Sequence, residues 1–273
     1  MQVRNGIKNA RRRTRLTRDA IYNLIELSHD IDFVQHITVH PDVVVIMYSP
    51  AIVDICRSTL SSQLPVQQLS YDTTFTLGDF YLSILLFRET EFDTSPIVPL
   101  AVMLHERKTE ATHDFFFKHF SSAFPAVAAA TNCIIVTDNE RAITQSIANH
   151  LPAIPHFLCH NHVLQDAKRW LREHGVSSAD EVNYYLDCMR SLFSSVDATA
   201  YKDALLQYFL RWSQPFSVWF TDCVNPIIEK LASWALVQYD LEQVTTNQSE
   251  SFNFVLKQLQ VHYSTYLSFL LPV

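Results

Sequence analysis

The sequence predicts an α/β fold: a mixed sheet flanked by helices, followed by an all-helical region. Three observations carry this. Three strand-type runs follow one another with short loops, as in an antiparallel meander. Strand and helix patterns then alternate, as in parallel additions to a sheet. Some sixty aromatic-rich residues of helical character come next.

Taken in order, DFVQHITVH and VVVIMYS flank the turn His40-Pro41-Asp42 and read as a hairpin. Pro50 opens a helix over AIVDICRSTLSSQL, since proline is tolerated in a first helical turn. QQLSYDTTFTL alternates: Leu69, Tyr71, Thr73 and Phe75 face one way, and Ser70, Asp72, Thr74 and Thr76 the other. Gly78-Asp79 turns the chain into FYLSILLFRE, and IVPLAVMLHE completes the meander. ATHDFFFKHFSSAF spaces Phe116, His119, Phe120 and Phe124 as a helix does. NCIIVTD is a buried-type strand ending at Asp138, NERAITQSIANHL a helix, IPHFLCH a strand, and HVLQDAKRWLREHG a helix closed by Gly175. Residues 178–240 read as helical, broken at Pro215 and Pro226, with an aromatic stripe that forms a core. TTNQSESFNFVLKQLQ is a last amphipathic helix.

Composition excludes several functions. The 273 residues are 48% hydrophobic, enough for a sizeable core, and no uninterrupted apolar run is long enough to span a membrane. The three glycines, Gly6, Gly78 and Gly175, lie too far apart for a glycine-rich phosphate loop, which excludes a nucleotide cofactor held that way. No apolar leader follows the basic start, and the five cysteines are odd in number with no CxxC, which suits a reducing compartment. Cys56, Cys133, Cys188 and Cys223 read as buried thiols. Residues 1–18 hold seven of the 21 Lys and Arg and no acid, so a basic arm joins an acidic body. Such an arm serves nuclear import or nucleic-acid contact, or is simply solvated.

The acids then draw attention. Asp72 interrupts a strand and Asp138 ends one, and a buried unpaired carboxylate costs several kcal/mol, about what divalent ions would offset. Each has a plainer reading, Asp72 as an exposed strand residue and Asp138 as a helix cap. Glu250 follows Asn247 as in a capping box, and shares a helix face with Asn253 and Lys257. Glu173 rivals it as a third acid by spacing, but sits among Lys168, Arg169 and Arg172 as in a surface charge cluster.

Five segments, in this order, resemble the conserved blocks of Mutator-like (MULE) transposases: YDTTFTLGDFYLSILLFRE, PLAVMLHERKTEATHDFFFKHF, IVTDNERAITQSI, FLCHNHVLQDAKRWL and TTNQSESFNFVLK. The resemblance spans about residues 65–260 and implies an RNase H-like fold of the DDE type. In it Asp72, Asp138 and Glu250 would be catalytic and bind two divalent ions, Mg²⁺ or Mn²⁺. It implies cleavage and joining of double-stranded DNA at element ends and target, in the nucleus, by a possible homo-oligomer. Cys159 and His162 match the family's C-x-x-H motif; no partner pair lies within reach to complete a four-ligand structural zinc. Asn253, Lys257 and Arg11, Arg12 and Arg13 are candidate phosphate contacts.

The expected organisation is a basic arm (1–18), a hairpin and helix packing on the core (19–64), the first part of the core (65–177), the helical insertion (178–243), the last catalytic helix (244–262) and a truncated tail (263–273). No zinc-type ligand set precedes residue 65, so the chain is expected to lack the family's DNA-reading module. The competing reading is a domesticated or decayed descendant that binds DNA or protein without catalysis.

Overall fold

A computed structural model describes residues 22, 25, 26, 28, 32–61, 66–77, 80–88, 95–241, 243–245 and 252. Among them runs a seven-stranded mixed sheet in the order β1-β2-β5-β4-β3-β6-β7. The strands are β1 (Val34–Thr38), β2 (Val44–Met47), β3 (Gln67–Leu77), β4 (Phe80–Arg88), β5 (Ile97–His105), β6 (Cys133–Thr137) and β7 (His156–Leu158). The meander β3-β4-β5 is antiparallel, and β6 and β7 add parallel strands beside β3. The hairpin β1-β2 turns through a cis His40–Pro41 bond and extends the sheet itself, because β2 pairs antiparallel with β5.

The period-two pattern of β3 decides the two faces. Leu69 and Tyr71 are fully buried in one apolar cluster with Leu85, Phe87, Met103, Cys133 and Ile135. Three helices cover that face: α1 (Pro50–Ser61), α2 (Glu110–Ala123) and α4 (Arg141–His150), with the short α3 (Pro125–Ala128) between the last two. Helix α2 begins where the Thr109 hydroxyl accepts the Thr112 N–H and ends before Pro125, which has no N–H to continue it. It buries Phe116, Phe117 and Phe120 completely, each contributing about 2–3 kcal/mol of transfer free energy.

On the opposite face Ile134, Val136, Phe157 and Cys159 meet Leu236 and Val244, while Leu82, Ile84 and Leu86 meet Phe252. Beyond the β7 edge lies the helical region: α5 (His160–Glu173), α6 (Ala179–Phe193), α7 (Ala198–Phe209), α8 (Gln214–Cys223), a 3₁₀ segment η1 (Asn225–Lys230), α9 (Ser233–Leu236) and a short η2 (Val237–Tyr239). The aromatic stripe is its core, where Phe216 lies 4.5 Å from Tyr185 and 4.8 Å from Trp212 between ring centroids. None of the described helices is long and apolar enough to cross a membrane.

Two local expectations are corrected. Cys223 is exposed, unlike the other four cysteines, because it is the last residue of α8, where the chain turns into η1. Strand β7 stops at Leu158, the partner of the last β6 residue Thr137, so Cys159 caps α5 and the helix starts two residues early.

Candidate functional site

Parallel pairing of β3 with β6 sets Ser70 opposite Val136. Two residues further along, Asp72 stands on β3 and Asp138 is the first residue after β6. Asp72 shares the face of Ser70, because side chains alternate with period two, and the charges of both acids reach Glu140 and His162. Asp72 also pairs across the antiparallel ladder with Ile84, so it borders the patch that receives Phe252. Asp72 and Asp138 are both half-buried.

Asp138 is not the cap of α4. Glu140 occupies that position, and an Asp138 carboxylate oxygen accepts the Glu140 N–H at 3.4 Å. Glu140 therefore hangs over the same site, half-buried. Burial raises its carboxyl above the usual range, the charges of Asp138 and Asp72 raise it further, and Lys108 opposes them. Lys108 is exposed and reaches the site from the chain beyond β5. Its ammonium lies 3.4 Å from the Thr73 carbonyl and 5.3 Å from the Tyr81 ring centroid.

The start of α5 closes the other side. Cys159 is fully buried and hydrogen-bonds His162 one turn on. That bond and the charge of Cys159, with smaller help from Asp72 and Asp138, outweigh burial and push the imidazole up to about 9. One turn further, Asp166 is raised by burial and by Asp138, with Arg169 and His162 pulling the other way. The site is thus a concentration of carboxylates faced by two cations, His162 and Lys108.

Beneath it the sheet carries a polar layer, hydrogen-bonded except at His113 Nε2, which is buried without a partner among the described residues. Tyr71 bonds His113 Nδ1 at 2.8 Å, and Ser83 bridges Thr73 at 2.7 Å to His105 at 2.8 Å. Burial keeps His113 neutral, down to about 3, and raises the Tyr71 phenol.

Among the described residues no three His, Cys, Asp or Glu side chains converge closely enough to hold a metal ion. Asp72 and Asp138 are hard oxygen donors suited to Mg²⁺ or Mn²⁺, and a metal there requires a further ligand from elsewhere. Glu250, Asn253, Lys257, Arg11, Arg12 and Arg13 lie outside the described residues. On this face Gln68 donates to the Thr245 carbonyl at 2.9 Å, and Phe252 packs over Leu82, Ile84 and Leu86. Glu173 is exposed at the far end of α5, about 16 Å along the axis from His162.

Glu140, Lys108 and Asp166 were not singled out by sequence reasoning. Glu140 follows Asp138 by two and Asp166 follows His162 by one helical turn, spacings that carry them into the site. Lys108 lies in a loop with no periodicity to flag it.

Residues 68–166 match the family model described as the MULE transposase domain. That segment contains Asp72, Lys108, Asp138, Glu140, Cys159, His162 and Asp166. No curated protein matches the chain.

Proposed function

Starting from the match of residues 68–166 to the MULE transposase domain, we propose that the chain is a DNA transposase core of the Mutator-like class, with an RNase H-like fold and metal-dependent strand cleavage and strand transfer at element ends. One observation carries the reading. Two carboxylates, Asp72 on β3 and Asp138 just past the end of its parallel neighbour β6, lie in the matched segment and both act on Glu140 and His162.

Asp72 and Asp138, with Glu250 from the sequence between Thr245 and Phe252, would hold Mg²⁺ or Mn²⁺. When bound, a pair of such ions supplies the Lewis acidity and charge neutralisation that in-line attack on a phosphodiester needs. The residues do the rest. Lys108, at the exposed mouth of the site, pairs with a DNA phosphate and steers the duplex. His162, charged at neutral pH, balances the acids in the absence of DNA. Glu140, raised above its usual range, accepts the proton of the attacking water or 3′-hydroxyl. Asn253 and Lys257 on the last helix, and Arg11, Arg12 and Arg13 in the basic arm, add phosphate contacts. The partner is double-stranded DNA, and the compartment is the nucleus.

The test is strand cleavage of a nicked or hairpin duplex by the full chain in Mn²⁺. Asp72→Asn and Asp138→Asn are expected to lose activity at least about 100-fold while still binding DNA. Equal background cutting by wild type and both variants overturns the enzymatic reading, and retained DNA binding would then favour a non-catalytic module.

A further inference from the structure

A hydrogen-bonded chain runs from the helical region into the backbone of Asp138. The Lys230 ammonium, at the end of η1, lies 3.5 Å from His156 Nδ1. His156 Nε2 lies 2.9 Å from the Thr137 hydroxyl, and that hydroxyl donates to the Asp138 carbonyl at 2.6 Å.

The donor inventory admits one direction only. An ammonium can only donate, so Nδ1 of His156 accepts and, in a neutral ring, Nε2 carries the proton. Nε2–H then donates to the Thr137 oxygen, leaving the hydroxyl its single proton for the Asp138 carbonyl, which can only accept. Every link is satisfied without conflict. Burial first, and then the Lys230 charge, push His156 down to about 3, so the ring stays neutral as the chain requires. A second tie runs in parallel: His160, the first residue of α5, bonds the carbonyl of Leu231, the residue after Lys230. The chain reaches Asp138 at its backbone carbonyl, so it grips the peptide and not the functional group.

We propose that Thr137 and His156 are positioning residues for Asp138, oriented by Lys230, so that docking of the helical region at η1 sets the aim of one working carboxylate. The inference rests on the reading of Asp138 as a metal-binding carboxylate. A peptide held at its carbonyl fixes ψ of Asp138, and the carboxylate follows, as partners behind a ligand commonly fix its orientation.

The experiment compares wild type, Thr137→Val, Thr137→Ser and Lys230→Met in the full chain. Thr137→Val and Lys230→Met are expected to lower kcat of Mn²⁺-dependent cleavage about 10- to 100-fold with KM for DNA within about twofold. Thr137→Ser, which keeps the hydroxyl, restores most of it. Nitrogen-15 histidine spectra read the chain without activity: His156 is expected as the Nε2–H tautomer in wild type and shifted in Lys230→Met. Thr137→Val with wild-type kcat, or His156 as the Nδ1–H tautomer, overturns the proposal. If wild type cuts no better than Asp72→Asn, the proposed function falls, and Mn²⁺ affinity decides the positioning role. About tenfold weaker Mn²⁺ binding by Thr137→Val then supports it, and equal binding overturns it. Lys230→Met serves alone if Thr137→Val does not fold.

Discussion

Acid should unfold this protein well above the pH at which ordinary carboxylates titrate. His113 and His156 are both held neutral by burial, each down to about 3. In the unfolded chain the same rings titrate near 6.5. A base whose folded pKa is depressed leaves the native state with fewer bound protons than the unfolded state between those two values. Stability therefore falls as pH drops through 6.5 and goes on falling towards 3. From pH 7 to pH 5 the linkage costs about 2 kcal/mol per histidine, or about 4 kcal/mol for the pair. His162 works in reverse: raised to about 9, it adds stability that is fully present below 6.5 and is lost as pH climbs through 9. Between pH 7 and pH 5 it returns about 1 kcal/mol or less, discounted for its partial exposure. Glu140 and Asp166, raised in the fold, also soften the fall. His105, His119 and His160, also lowered by burial, steepen it, so the net expectation is a loss of at least about 3 kcal/mol, a drop of about 1 M or more in urea midpoint. Equilibrium urea unfolding at pH 7, 6 and 5 measures it, and His156→Gln should remove about 2 kcal/mol of the loss. A midpoint unchanged between pH 7 and 5, or a slope unaltered in both His156→Gln and His113→Gln, refutes the assignment of buried neutral rings.

Phe216→Ala should destabilise the chain by about 3–5 kcal/mol, because Phe216 is fully buried among Tyr185, Trp170, Trp212 and Trp219; a loss under about 1 kcal/mol by chemical denaturation would mean that the aromatic cluster is not a packed core. Lys108→Ala should weaken DNA binding and lower the slope of log affinity against log salt by about 1, the signature of one lost phosphate contact. An unchanged slope would remove Lys108 from the DNA-binding surface.

Much of the architecture was legible because local period reports burial. Alternation in QQLSYDTTFTL put Leu69 and Tyr71 in the core and Asp72 on the other face, and the helical spacing of Phe116 and Phe120 placed α2. The neighbourhood of Asp72 and Asp138 was not legible from periodicity, since strand order is decided by long-range pairing: β3 sits between its sequence neighbour β4 and the distant β6. The hairpin's union with β5 escaped notice for the same reason. The loop residues Glu140 and Lys108 were invisible because their placement depends on how the elements around them meet. Asp138 looked like a helix cap, yet its carboxylate takes the Glu140 N–H and moves the helix start to Arg141. The chain from Lys230 to Asp138 joins residues 92 positions apart, and no sequence pattern announces it.

The pairing of β3 with β6 also orders events in time. Hairpins β3-β4 and β4-β5 close over short intervals, whereas Gln67 meets Cys133 only after the 65 residues between them are gathered in. Contacts of that span form late, after local ones have repaid part of the chain's entropy. A nascent or partly folded molecule can possess the whole meander, with Asp72 already on its strand, and still have no second carboxylate beside it. The acid pair therefore forms only once β3 and β6 have paired, and a chain released before that carries no assembled site.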